Sequence, residues 1–278
     1  MRNNQDRFAA SGAPNAPEPP SEASNSLFDF ARPTEFVDLP TKGRFYSEAH
    51  PLKGKETVEI RYMTAKEEDI LTSKTLLKSG MAIDRLIGSI LVDKSINVAS
   101  LYASDKNAIL VACRISGFGP EYETRVNCPA CGTSAPYMFD LNECRPYFGN
   151  EQLEVGDDGT FAVILPVTKI DARLKILNSK EEAFLTQLAE NKAKKNLPES
   201  ILTDQLKAII VSLNGQTERS TINKFVDIMP ARDSRFLRKE YVKASPGVEM
   251  KNDFKCSSCG HEQEVDIPLT ADFFWSNR

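Results

Sequence analysis

The sequence predicts an α+β fold: a helical N-terminal region, a split four-cysteine zinc ribbon, and a mainly helical insertion between the two ribbon halves. Three observations lead there. CPACG (128–132) and CSSCG (256–260) are each flanked by strand-like sequence. The 124 residues between Cys131 and Cys256 carry mostly helical periodicity. Helix-capping patterns precede several of the apolar periodic segments. The expected boundaries are 1–33 for a disordered tail, 34–120 for the N-terminal helical region, 121–145 with 248–272 for the ribbon, and 146–247 for the insertion.

The tail stretch APNAPEPPSEASNS is rich in Pro, Ala, Ser and Glu. It buries too little apolar surface to offset its ordering entropy. Leu27, Phe28 and Phe30 interrupt it as a short apolar cluster. That cluster either packs on its own domain or docks on a partner. Ordered sequence begins near Phe36, and LPTKGRFY has turn residues at Pro40 and Gly43. Thr57–Met63 alternates as a strand. Thr64 and Glu67 form a capping box that opens a helix to about Lys78, stopped by Gly80. A second helix spans Met81 to about Val92, with Ile83, Leu86, Ile87, Ile90 and Leu91 at helical spacing. A third runs from Ser104 to Ile115 and closes at SGFGP.

Past Gly117 the pattern changes. YETRV reads as a strand, CPACG as a turn and PYMFDL as a strand. Residues 142–160 read as loop, TFAVILP as a buried strand, and VTKIDARLKIL as its continuation. Ser179 and Glu182 give a second capping box, for a helix to about Lys195. Leu197–Gly215 reads as one helix with a glycine stop. TINKFVDIM is a short helix, and Pro230 suits the first position of PARDSRFLRKEYVKA. A strand near Met250–Phe254, the CSSCG turn and the strand QEVDIPL complete the second half.

The cysteine pairs carry the chemistry. Zinc favours tetrahedral thiolate ligands, and Cys-x-x-Cys lets one tight turn present two sulfurs to one ion. Cys128, Cys131, Cys256 and Cys259 therefore predict one structural zinc with a closed shell. Both halves continue with the same apolar alternation: Tyr137, Phe139 and Leu141 after Cys131, and Val265, Ile267 and Leu269 after Cys259. A folded insertion between them is tolerable because loop-closure entropy grows only logarithmically with length. The alternative is two unmetallated turns or a redox dithiol, although a thioredoxin-like motif places one such pair at a helix start. His261 is a possible substitute ligand, Cys113 reads as core, and Cys144 as a bystander.

Other chemistry has little material. No apolar run has bilayer length, and MRNNQDRFAASGAPNAPEPP lacks the apolar stretch of a secretory signal. Reduced cysteines, and hence metal, are the matching expectation. The formal net charge is -4, against the basic excess expected of a nucleic-acid binder. No phosphate loop, nucleophile elbow or HExxH occurs, and His50 and His261 are the chain's two histidines. Glu67, Glu68 and Asp69 suit a helix first turn. The most basic stretch holds Arg232, Arg235, Arg238, Lys239 and Lys243, diluted by Asp233 and Glu240. A nucleic-acid-binding or transcription adaptor built on a zinc ribbon remains the competing class.

LPTKGRFY, IRYMTAKEEDIL, DRLIGSIL and SDKNAILVACRISGFGPEYETRVNCPACG, followed by PARDSRFLRKEYVKASPG and the CSSCG…VDIPLTADFFW ending, resemble the baseplate hub subunit and hub assembly protein family of T-even-like bacteriophages. The resemblance covers about residues 34–275. It implies a viral structural or assembly protein without catalytic residues. It also implies other tail or hub proteins as partners, the tape-measure protein among them, with no membrane and no small-molecule substrate. Assembly in the host cytoplasm follows from the same resemblance, which is compatible both with a place in the virion baseplate and with a role as an assembly chaperone alone. Phe28 and Phe30 in the tail, with Phe273, Phe274 and Trp275 in ADFFW, are the candidate partner-binding residues, with self-packing as the other reading.

Overall fold

The computed structural model describes residues 33–267 and 271–274. Phe28, Phe30 and Trp275 lie outside the described residues. β1 (Thr34–Asp38) and β2 (Thr57–Arg61) form an antiparallel pair with Val37 opposite Val58. The sequence reading has no β1, because TEFVD is short, charged and gains its partner only in three dimensions. Between the two strands, LPTKGRFY turns as expected.

α1 (Ala65–Thr72) and α2 (Lys74–Lys78) replace the single helix expected over this stretch. The break is at Ser73, whose backbone is extended and whose side chain caps α2. The Thr64 amide and hydroxyl both donate to the Glu67 carboxylate, at 2.9 and 2.6 Å. α3 (Ala82–Ile90) buries Leu86, Ile87 and Ile90. α4 (Ala103–Phe118) runs three residues beyond the expected end before Gly119 stops it. β3 (Glu121–Asn127) and β4 (Ser134–Asp140) form the first cysteine-bearing hairpin.

The interval read as loop contains β5 (Arg145–Tyr147). β6 (Thr160–Ile164) and β7 (Asp171–Lys175) are separate antiparallel strands, reversed by a turn over Pro166–Ile170. α5 (Ser179–Lys194) is capped one residue earlier than expected. Asn178 Oδ1 accepts the Glu181 amide at 3.0 Å and Glu181 accepts the Asn178 amide at 3.1 Å. An asparagine is among the strongest caps, so Ser179 becomes the first helical residue. Asn178→Ala is expected to cost about 1 kcal/mol, measured by chemical unfolding.

The helix expected over Leu197–Gly215 is divided. α6 (Ile201–Ile209) ends where β8 (Ile210–Leu213) joins the edge of β7, completing a sheet of order β6-β7-β8. The apolar run of β-branched residues suits a buried strand once β7 supplies hydrogen bonds. α7 (Arg219–Ile228) and α8 (Ala231–Ala244) follow, with Pro230 at the cap of α8 and not at its first turn. β9 (Gly247–Glu249) returns to pair with β5, so the two ends of the segment between the cysteine hairpins meet in one short ladder. β10 (Lys251–Lys255) and β11 (Glu262–Asp266) form the second cysteine-bearing hairpin, and a 3-10 turn covers Ala271–Phe274.

The described residues from Thr34 onward form one compact unit. One core runs through it, from Leu86 and Ile109 in the N-terminal helices to Leu174, Ile210 and Leu237 in the insertion. Among the described residues, no helix is long and apolar enough to cross a membrane.

Candidate metal centre

Each cysteine motif is a tight turn at the tip of a hairpin, and the two turns have the same backbone bonds. The Cys128 amide donates to Thr133 O at 2.9 Å, and the Gly132 amide to Cys128 O at 2.8 Å. In the second turn Cys256 donates to His261 O, and Gly260 to Cys256 O, both at 2.9 Å. Gly132 and Gly260 have φ of 70° and 72°, a left-handed conformation that L side chains rarely adopt. The matched glycines thus fold each knuckle back on its first cysteine.

The two tips face one another. Cys128 Sγ is 3.7 Å from Cys259 Sγ, and Cys131 Sγ is 3.8 Å from Cys256 Sγ. All four sulfurs lie within 4.8 Å of one another. These separations are far beyond the ~2.05 Å of a disulfide. They match the sulfur spacing of about 3.8 Å that a tetrahedron with ~2.3 Å metal–sulfur bonds requires. The group can hold a metal ion.

Burial alternates in the same way in both knuckles. Cys128 and Cys256 are buried, at 1% and 3% exposed, while Cys131 and Cys259 are exposed. Phe254 packs beneath the two buried cysteines with Val126, Tyr137 and Val265 at its margin. Tyr137 bonds the halves directly, its hydroxyl donating to Asp253 O at 2.6 Å, and its ring meets Phe254 edge-on at 5.1 Å. The alternation read after each knuckle is present: Tyr137 and Val265 are half-buried, and Phe139 and Ile267 are buried. Leu141 is buried as well, and Leu269 lies outside the described residues.

The thiols of Cys131, Cys256 and Cys259 do not ionise alike. Thr133, through its hydroxyl and amide, draws Cys131 down to about 6. Backbone amides of Cys259 and Ser258 lower Cys256. The His261 amide favours the Cys259 thiolate, but the neighbouring sulfurs together push its thiol up to about 12. A divalent cation eases this competition by coordinating all four sulfurs as thiolates and offsetting half of their charge. Cys113 and Cys144 stand apart: burial raises their thiols to about 12 and about 11. His261 Nε2 lies 3.2 Å from Gln263 Oε1 and is outside the group of four.

The C-terminal aromatics are placed differently from the partner-binding expectation. Phe273 and Phe274 are 2% and 4% exposed, buried in the protein's own core, so neither offers a partner a surface. Phe273 meets Tyr122 edge-on at 5.2 Å, which ties the segment to β3 of the first hairpin. Arg114, buried on α4, anchors it further: Nε donates to Phe273 O at 2.9 Å and Nη2 to Glu121 O at 2.8 Å. Sequence reasoning missed this clamp because its partners are up to 159 positions away. Arg114→Met is expected to cost about 2–3 kcal/mol in thermal unfolding, as the carbonyls lose a charged donor.

The sequence model of the family described as T4 bacteriophage base plate protein matches residues 38–275. The chain belongs to that family. It is therefore a component of the phage baseplate, and the resemblance read from its motifs holds at that level. No curated protein and no solved structure matches this baseplate protein. The family match spans both cysteine hairpins and all the sequence between them.

Proposed function

We propose that this baseplate protein is a non-enzymatic hub component or hub assembly factor, held in shape by one structural zinc ion and binding other tail proteins. The supporting observation is the convergence of Cys128, Cys131, Cys256 and Cys259, from two knuckles whose inner cysteines are 125 positions apart. In this reading β3–β4 and β10–β11 are the halves of a split zinc ribbon. Four thiolates fill a tetrahedral shell and leave no position for substrate or water, which suits a structural ion. When bound, zinc supplies a rigid, redox-inert junction between the hairpins. Tyr137, Phe254 and the β5–β9 ladder transmit that constraint to the base of the insertion. The partners are hub and tail proteins, including the tape-measure protein, met in the host cytoplasm during assembly.

Affinity capture of tagged protein from infected cells tests this. Enrichment of tail and baseplate proteins, reduced in a Cys128→Ser/Cys256→Ser double variant, is the expected result. Recovery of polymerase or nucleic acid instead would favour the adaptor reading, and mixed disulfides the redox reading.

A further inference from the structure

α5 has 16 residues, and none is fully buried. Phe184 stands 63% exposed on it. Beside it, α5, α6 and the start of α7 enclose a groove of about 710 Å³, within the usual ~300–1,000 Å³ range of binding clefts. Leu185, Leu188 and Ala208 contribute its apolar lining. Ile201, 60% exposed, lies at the same helical spacing as Asp204 and Ala208 and extends that surface along α6.

The charges around the groove are unbalanced. Its two carboxylates are already paired, Glu181 with Lys175 and Asp204 with Lys192. Lys207 also has a partner, Asp227 at 2.7 Å. Among the described residues, no carboxylate pairs with Lys180 or Arg219. Arg219 Nη1 donates to the Lys207 and Ile210 carbonyls at 3.2 and 2.8 Å, which fixes the guanidinium without neutralising it. The result is an apolar trough with two uncompensated cations at its rim.

We propose that this groove docks an acidic amphipathic helix of another protein, with apolar anchors seated beside Phe184 and carboxylates meeting Lys180 and Arg219. Charge complementarity selects the occupant: a neutral apolar helix leaves both cations unanswered, and a basic one is repelled. Walls made of helices, with apolar residues on facing sides, suit a helix laid in a groove. None of the groove residues belongs to the cysteine hairpins, so the inference stands apart from the metal reading.

The test uses full-length protein and two labelled 16-residue helical peptides. Both have Leu or Phe at i, i+4, i+7 and i+11; one has Glu and the other Lys at the flanking positions. Fluorescence anisotropy is expected to show binding of the Glu peptide at least tenfold tighter than the Lys peptide, weakening with salt. Phe184→Ser and Lys180→Glu, both at exposed positions, are each expected to weaken the Glu peptide about tenfold with unchanged melting temperature. Equal binding of the two peptides, no binding of either, or binding indifferent to both substitutions would overturn the proposal.

Discussion

Cys256→Ser is expected to release the bound metal and lower stability by on the order of 5 kcal/mol. Cys256 is buried against Phe254, so its replacement removes a ligand and leaves a hydroxyl in an apolar setting. Three remaining thiolates hold zinc far more weakly, and their mutual repulsion is no longer offset. The loss is concentrated in the hairpins. Hydrogen exchange is expected to accelerate first over 121–140 and 251–266, then at the β5–β9 ladder, with α3 and α4 protected longest. Removing zinc from the wild-type chain with a strong chelator should give the same pattern, and restoring zinc should reverse it. Cys113→Ser serves as control, because Cys113 is buried in α4 and outside the sulfur cluster. Equal metal content and stability in wild type and Cys256→Ser would sink the account of this site.

The second large effect is at Asp105. Its carboxylate, fully buried on the first turn of α4, accepts the Thr41 amide at 3.1 Å, the Thr41 hydroxyl at 2.8 Å and the Tyr46 hydroxyl at 2.7 Å. It therefore fastens the 39–46 turn to the core helix. Asp105→Ala strands three donors inside the protein, each worth about 1–3 kcal/mol, for an expected loss of about 4–6 kcal/mol. Burial pushes this carboxyl up to about 6, while the Tyr46 and Thr41 bonds hold it down. The folded value thus exceeds the unfolded one of ~3.9. Between about pH 4 and pH 6 the folded state keeps a proton that the unfolded state has released. Stability from this group is complete below pH 4, falls as pH rises through that window, and is flat above about pH 6. The swing is about 3 kcal/mol. Asp233, Asp204 and Glu67 are lowered and act oppositely in acid, so the contribution must be read as a difference. Wild type minus Asp105→Asn, followed by urea unfolding from pH 7 to pH 4, is expected to grow in favour of wild type as pH falls.

Local chemistry was legible in the sequence and distant pairing was not. The knuckles could be read because a Cys-x-x-Cys-Gly turn makes its own geometry within five residues. The Thr64 cap was legible for the same reason. β8 was misread because IIVSL satisfies helical and strand patterns equally until β7 is placed beside it. β5 was missed because three residues, one of them proline, carry no period, and the partner is β9 at the far end of the insertion. The buried ionisable groups had no local signature at all. Asp233 resembled a diluting charge on a basic helix, yet it is buried and binds the Val167 and Thr168 amides, at 2.8 and 3.0 Å, 66 and 65 positions away. Phe273 and Phe274 looked like partner anchors because a terminal aromatic cluster reads the same whether it faces inward or outward. Arg114 and Tyr122 decide that it faces inward.

The proposed function rests on four cysteines holding one zinc ion that joins the two hairpins. The decisive measurement is elemental analysis of the purified protein by plasma mass spectrometry, with thiol titration on the same sample. One zinc per chain is expected, with four thiols that react only after chelation and a loss of structure in the hairpins when they do. A metal content near zero, with those thiols freely reactive and the hairpins intact, would contradict the zinc reading.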